Sequence, residues 1–324
     1  MSNLLEIKNI CIRFRSKGRV RALLDGDDDP HIEAVCGASL NIEPNQTFAL
    51  VGESGAGKTT LARSVIGLVT PYAGSILYKG QELCGLKDAA FKPLRREIGM
   101  MFQDPVGCLS PRRTVRSLIT EPFLIHGIKE IDLNREAERL LDLVGLPPQF
   151  AAYYPYQLSG GQARRVGTAR ALALNPKLII ADEPTAGLDV SVQGEVLNLL
   201  ARLQDELQIS FLIITHNLAV VRHTSDRMAI MYLGRLVETG PTDEIFAHPR
   251  HPYTHALLSA TPEPDPDAAR KRVDLTGEIP SLINRPLGCE FHTRCPRAAA
   301  RCHEQFPAKE TVGPEHEIYC FNPQ

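Results

Sequence analysis

The stretch Gly52-Glu53-Ser54-Gly55-Ala56-Gly57-Lys58-Thr59 fits the pattern G-x-x-x-x-G-K-[ST]. It follows an apolar run, Phe48-Ala49-Leu50-Val51, and precedes residues 60–68, which have helical character. A strand that turns through glycines into a helix aims backbone N–H groups and the helix N-terminus at one point in space. Such a point suits a phosphate. Gly52, Ser54, Gly55, Ala56 and Gly57 would form the cradle, and Lys58 would reach the outer phosphates. The Thr59 hydroxyl would ligate Mg²⁺, with Thr60 beside it at the start of the helix.

A second element fits the same site. Leu178-Ile179-Ile180-Ala181 is a buried-strand pattern ending in Asp182-Glu183. Asp182 at the strand end is placed to bind Mg²⁺, directly or through water. Glu183, one residue further, is placed to polarise an attacking water as a general base. Residues 192–208 read as a helix and residues 209–215 as another buried strand. This strand–helix–strand order predicts an α/β fold with a parallel sheet covered on both faces.

Elsewhere, residues 1–14 and 34–42 read as strands, separated by an exposed loop over residues 15–33 that contains Asp27-Asp28-Asp29-Pro30. Residues 91–146 read as mostly helical, and Pro147-Pro148 interrupts them. The helix after Gln162 should stop at Asn175-Pro176. Residues 228–232 and 236–238 resemble a terminal hairpin around Gly234-Arg235. Prolines then become frequent, at Pro249, Pro252, Pro262, Pro264 and Pro266. These features place a first domain over residues 1–260 and an appendage over 261–324.

At 324 residues the chain has room for one large α/β domain and a modest appendage. A net charge of -2 gives no argument for a nucleic-acid partner. Arg95, Arg96, Arg112 and Arg113 cluster in sequence and read as a solvated face. No signal peptide is visible, and no run approaches the ~18 apolar residues of a membrane span. A role at a membrane would therefore be peripheral. Of eight cysteines, Cys11, Cys36, Cys84 and Cys108 are scattered and read as small buried hydrophobes. Cys289, Cys295, Cys302 and Cys320 crowd together with spacing C-x5-C-x6-C-x17-C. Without a secretion signal such clustered thiols suggest a metal site, either a tetrahedral zinc or an iron–sulfur cluster. His248, His251 and His255 read as helix-entry residues rather than a metal set.

Leu158-Ser159-Gly160-Gly161-Gln162 is similar to the signature sequence of ABC ATPases. The resemblance extends in order to Gln103 in Met101-Phe102-Gln103-Asp104-Pro105, to Asp189 in Ala186-Gly187-Leu188-Asp189 and to His216 after Ile214-Thr215. It implies a P-loop ATPase domain with a parallel-sheet core, an antiparallel β subdomain and a helical signature subdomain at about 91–175. It implies that ATP and Mg²⁺ bind at residues 52–60, that Phe14 stacks on adenine, and that Gln103 senses nucleotide and assists the Mg²⁺ site. His216 would meet the γ-phosphate. Ser159, Gly160, Gly161 and Gln162, with Asp189, would face the nucleotide of a second subunit across a head-to-tail dimer. The chain departs from the family pattern at Asn45-Gln46, Ala163, Ala186-Gly187 and Asn217, none of which removes a catalytic group.

Three further stretches resemble the ATPases of bacterial dipeptide and oligopeptide importers. They are Leu188-Asp189-Val190-Ser191-Val192-Gln193, the run from Pro249 to Leu258, and Gly277-Glu278-Ile279-Pro280-Ser281 with the cysteines beyond it. That resemblance implies a peripheral subunit on the cytoplasmic face of the bacterial inner membrane. Its partners would be a sister ATPase, two integral permease subunits and an extracytoplasmic substrate-binding protein, with no nucleic acid. It also points to a [4Fe–4S] cluster at the four cysteines, with Zn²⁺ as the alternative. The cargo stays open among peptides, opines, nickel chelates and glutathione. A soluble ABC ATPase acting on nucleic acid or ribosomes is the competing class, and it lacks support in the single phosphate loop and the absence of long heptad arms.

Overall fold

The computed structural model describes residues 3–15, 31–261, 273, 275 and 277–324. Positions 16–30 of the expected loop, and Pro262, Pro264 and Pro266, lie outside the described residues. In chain order, strands β1 (Leu5–Arg15), β2 (His31–Ile42) and β3 (Thr47–Val51) lead to helix α1 (Lys58–Val65) and strands β4 (Ala73–Tyr78) and β5 (Gln81–Glu82). Then come α2 (Asp88–Phe91), β6 (Ile98–Met101), α3 (Val115–Ile125), α4 (Leu133–Leu143) and α5 (Gly160–Leu172). They are followed by β7 (Leu178–Asp182), α6 (Val190–Leu207) and β8 (Ser210–Thr215). The remainder carries α7 (Leu218–Thr224), β9 (Arg227–Tyr232), β10 (Arg235–Pro241), α8 (Thr242–Ala247) and α9 (Pro252–Ser259). It ends with α10 (Ala300–Glu304), β11 (Glu310–Gly313) and β12 (His316–Ile318). Two compact units result.

One unit comprises Ile42–Thr47 and Leu86–Thr215. Its strands β8, β7 and β6 are parallel neighbours, with Ile98 opposite Leu178 and Leu178 opposite Ser210. Every residue of β7 and β8 is buried, which explains their apolar runs Leu178–Ala181 and Phe211–Ile214. Leu118, Ile119, Leu140, Leu141, Val166 and Ala169 from α3, α4 and α5 share a core with Ile179 and Phe211. The helices are capped as their sequences demand: Thr114 accepts from Ser117 N at 3.4 Å and Asp132 from Asn134 N at 2.9 Å. The mostly helical reading of 91–146 missed β6, which lies inside that span. Its Gly99 runs so close to α5 that an added Cβ would stand 2.7 Å from the Ala171 carbonyl oxygen. A four-residue strand with a glycine at its second position has little periodicity to read.

The other unit comprises Ser2–Asn41, Phe48–Gly85 and His216–Gln324. It holds a sheet in the order β2-β1-β4-β5, with β1 antiparallel to β4 from Leu5 opposite Tyr78 to Cys11 opposite Ala73. A second set of strands runs β11-β12-β10-β9-β3, in which β3 and β9 are parallel and the other pairs antiparallel. The β9–β10 hairpin is therefore not terminal, since Ile318 of β12 pairs with Glu238 of β10. Glu238 is 1% exposed and accepts from the backbone N–H of Arg250 at 2.7 Å and of His251 at 2.9 Å. His316 Nε2 lies 2.7 Å from the same carboxylate. One buried acid thus ties β10, the start of α9 and β12 together, and its hydrogen bonds offset the cost of its burial. Cys11, Cys36, Cys84 and Cys108 prove half-buried rather than fully buried.

Candidate nucleotide site and the four-cysteine cavity

In the second unit β3 is buried over its whole length and delivers the chain at Val51 into the glycine loop. A Cβ on Gly52 would lie 2.2 Å from Met231 O, and one on Gly57 would lie 2.4 Å from Ala34 O. Gly57 also has φ +101°. Both positions exclude a side chain, and the loop is held against β9 and β2 by its bare backbone. Gly57 is the N-cap of α1 and supplies no side-chain acceptor there, so the helix start carries the positive end of its dipole without a capping side chain. Lys58 is 6% exposed, and its Nζ donates to Gly52 O at 2.8 Å and Glu53 O at 2.9 Å. The ammonium is drawn back over the loop it would serve. Ser54 and Gly55 are exposed, Ala56 is buried, and Thr59 and Thr60 are half-buried at the mouth of α1. Phe14 stands on β1 at 45% exposure, an aromatic side chain open to solvent. His216 is exposed, directly after β8. Asn217 next to it accepts from Ala219 N at 3.0 Å, capping α7 as an aspartate would.

In the first unit β7 ends at Asp182, which is 2% exposed. Glu183 leaves the strand with φ +52°, its N–H donating to Ile214 O at 2.8 Å. A non-glycine residue in that region signals a backbone held by its surroundings. Arg164 of α5 does much of the holding, donating to Glu183 O at 2.7 Å and Ala186 O at 2.8 Å from a buried position. Burial pulls the Arg164 guanidinium below its ordinary value, and the Glu183 charge opposes that. Arg164 was not singled out from sequence, because its partners are carbonyl oxygens that no side-chain pattern reveals. In the β6–β7 register Met101 faces Ala181, so Gln103 and Glu183 each leave their strands two residues beyond that pair. Gln103 is exposed.

Ser159 caps α5 in a reciprocal box: its Oγ accepts from Gln162 N at 3.3 Å while Gln162 Oε1 accepts from Ser159 N at 2.9 Å. Ser159 and Gly160 are exposed at that helix start, and a Cβ on Gly161 would meet Val192 Cγ1 at 3.0 Å. Asp189 caps α6, accepting from Val192 N at 3.0 Å, and is itself exposed. This unit also holds a cavity of about 520 Å³ lined by residues that include Arg95, Arg96, Phe102, Glu121, Ile125 and His126. Arg96 donates to His126 O at 3.0 Å and Arg113 pairs with Glu121, so these arginines are partnered rather than merely solvated.

Cys289, Cys295, Cys302 and Cys320 all line one small cavity in the second unit. Cys289 and Cys302 are buried, and Cys295 and Cys320 half-buried. Backbone N–H groups of Ala299 and Asn322 point at Cys302 Sγ and Cys320 Sγ, each at 3.4 Å. Burial pushes the Cys289 thiol up to about 12 and the Cys320 thiol up to about 11, and raises Cys295 as well. Among the described residues no group of three or more His, Cys, Asp or Glu is arranged to hold a single metal ion. His251 is buried as the N-cap of α9, its Nδ1 accepting from Tyr253 N at 3.1 Å, with burial lowering it to about 4.

Residues 35–186 match the ABC transporter family, and residues 237–302 match the oligopeptide/dipeptide transporter C-terminal region. The chain is 47% identical over 293 residues to the oligopeptide transport ATP-binding protein AppF of Bacillus subtilis, covering 89% of each chain. It is 44% identical over 322 residues to the oligopeptide transport ATP-binding protein OppF of Escherichia coli, covering 98% of this chain and 96% of that one. With the di/tripeptide transport ATP-binding protein DppF of Pseudomonas aeruginosa it shares 44% over 292 residues, 90% of each. Its fold is similar to the ATP-binding cassette MJ0796 in a dimeric post-hydrolysis state bound to ADP and Pi, with TM-score 0.65 and 28% identity over 74% of this chain and 98% of that one. It is equally similar to cbiO1 from Clostridium perfringens, part of the ABC transporter complex cbiONQ, with TM-score 0.65, 28% identity, and coverage of 76% and 92%. The chain belongs to the family of ABC transporter ATP-binding subunits, in its oligopeptide and dipeptide branch.

Proposed function

We propose that this chain hydrolyses ATP to drive import of peptides, or of a chemically related small solute, through an ABC transporter. The observation that carries this reading is the glycine loop at 52–59, whose backbone and buried Lys58 are shaped for a polyphosphate. Its relatives, ATP-binding proteins of oligopeptide and di/tripeptide transport, supply the cargo class. Gly52 to Thr60 would cradle the phosphates, and Thr59, Gln103 and Asp182 would hold the Mg²⁺ that shields their charge. Phe14 would stack on adenine, Glu183 would take a proton from the attacking water, and His216 would meet the γ-phosphate. Ser159, Gly160, Gly161, Gln162 and Asp189 would serve the nucleotide of a sister ATPase. The dimeric state of MJ0796 supports that pairing.

The helical span at about 91–175 would form the subdomain that meets the permease. The cavity lined by Phe102, Arg95, Arg96 and Ile125 is suited to receive an amphipathic permease segment. No described helix is long and apolar enough to cross a membrane. By its likeness to transport ATP-binding proteins, the chain would sit peripherally on the cytoplasmic face of the inner membrane, with two permease subunits and an extracytoplasmic binding protein completing the assembly. Closure of the ATPase pair would switch the permease, and hydrolysis would reset it. Tagged chain purified from solubilised membranes should bring down two integral subunits and a second ATPase. Vesicles holding that assembly should accumulate labelled oligopeptide only when ATP is supplied. Recovery with ribosomes or DNA and without a permease would place the chain in the competing class.

Residues 261–324 would form an appendage carrying a [4Fe–4S] cluster on Cys289, Cys295, Cys302 and Cys320. The fit rests on four thiols around one cavity, two of them facing backbone N–H donors of the kind that stabilise thiolates. Bound there, a cluster would cross-link a segment with little core of its own. Anaerobically purified protein is expected to be brown, with iron and acid-labile sulfide near four each per chain, the composition a cubane cluster requires. Colourless protein with one zinc and no sulfide would assign the site to Zn²⁺ instead.

A further inference from the structure

The second residue of the phosphate loop is a glutamate. Glu53 places a carboxylate inside a loop that has to accept several negative charges, and a like charge there opposes binding. The structure shows what restrains it. Arg294 forks around the Glu53 carboxylate, Nη1 reaching Oε2 at 3.0 Å and Oε1 at 3.3 Å, and Nη2 reaching Oε1 at 3.3 Å. The Arg294 side chain is 8% exposed and that of Glu53 23%, so solvent screens this pair weakly.

The grip has a second arm. Glu53 N donates to the Tyr253 hydroxyl at 3.3 Å, and its carbonyl accepts from Lys58. Phe291 packs its ring 5.3 Å from those of both Tyr232 and Tyr253. Arg294 N donates to Phe291 O at 3.0 Å, so the turn that seats Phe291 also aims the guanidinium. The adjacent Glu290 is 3% exposed and pairs with Arg235 at 2.6 Å and Arg285 at 3.2 Å, which anchors the turn from its other side. Every part of Glu53 is thus fixed, and two of the three holds come from residues far beyond the loop in sequence.

We propose that Arg294 is a positioning residue for nucleotide: by binding the Glu53 carboxylate it keeps that charge off the phosphates and fixes the loop in its receptive shape. The segment between Cys289 and Cys295 is thereby part of the machinery that sets ATP affinity. The inference rests on the reading of residues 52–59 as the ATP phosphate loop.

The test is equilibrium titration of the full-length chain with a fluorescent ATP analogue in Mg²⁺. Arg294→Met leaves the Glu53 carboxylate without its guanidinium partner, and should raise Kd at least about tenfold, as expected when one partner of a shielded charge pair is removed. Adding Glu53→Gln to Arg294→Met removes the repelling charge and should bring Kd back to within about threefold of wild type. If Arg294→Met does not fold, Arg294→Lys with and without Glu53→Gln makes the same comparison, with a smaller loss and the same rescue. Equal affinity of the Arg294 variant and wild type would overturn the proposal. So would a double variant as weak as the single one, since the loss would then be general damage to the turn. A wild-type chain that binds no ATP would instead remove the phosphate-loop reading beneath it.

Discussion

Glu183→Gln is expected to keep ATP binding close to wild type while hydrolysis by the assembled transporter falls by about 10²- to 10⁴-fold, the span that loss of a general base covers. The substitution keeps the size and hydrogen-bonding reach of the side chain and removes its ability to take a proton. The position of that side chain is set by backbone: Ile214 O receives the Glu183 N–H and Arg164 holds the Glu183 carbonyl. Gln should therefore occupy the same place, and the variant should stall as a closed, nucleotide-loaded pair. Lys58→Ala should fail one step earlier, since it removes the ammonium now held by Gly52 O and Glu53 O and with it the charge that meets the phosphates. Binding by isothermal titration and phosphate release by single-turnover kinetics separate the two. Near-normal turnover in the glutamine variant would reject Glu183 as the base.

The parts of this molecule that could be read from sequence are those whose causes are local. The glycine loop is legible because Gly52 and Gly57 have no room for a Cβ, and the residues that follow must start a helix. Asp182 and Glu183 are legible because β7 is an unbroken apolar run with acids at its end. The signature is legible because Ser159 and Gln162 cap their own helix. What escaped depends on partners far along the chain. β12 is three residues long and exists because β10 offers it an edge. Arg164 and Arg294 are ordinary arginines until the fold brings them to Glu183 O and to the Glu53 carboxylate. β6 escaped for the opposite reason: its glycine suits a tight approach to α5 and weakens any strand signal. The four clustered cysteines were conspicuous by spacing, yet only the fold shows that they line one cavity.

The second large effect concerns assembly. Ser159 and Gly160 are exposed at the start of α5, with the Ser159 N–H and hydroxyl tied to Gln162 in the capping box. Asp189 is likewise exposed beyond its capping bond to Val192 N. If these groups complete the nucleotide site of a sister ATPase, each isolated chain carries two incomplete halves and lacks the donors that stabilise charge on the γ-phosphate. Removing even one such donor costs about 10²- to 10³-fold in comparable sites. The decisive measurement is the rate of ATP hydrolysis per chain, taken first for this chain alone across a range of concentrations. It is then repeated with permease and sister ATPase in lipid vesicles. The account predicts a rate near background for the dilute single chain and a rise of about a hundredfold or more on assembly, lost again when the sister's signature serine is replaced by arginine. A brisk rate from the isolated chain that does not change with its concentration would contradict it.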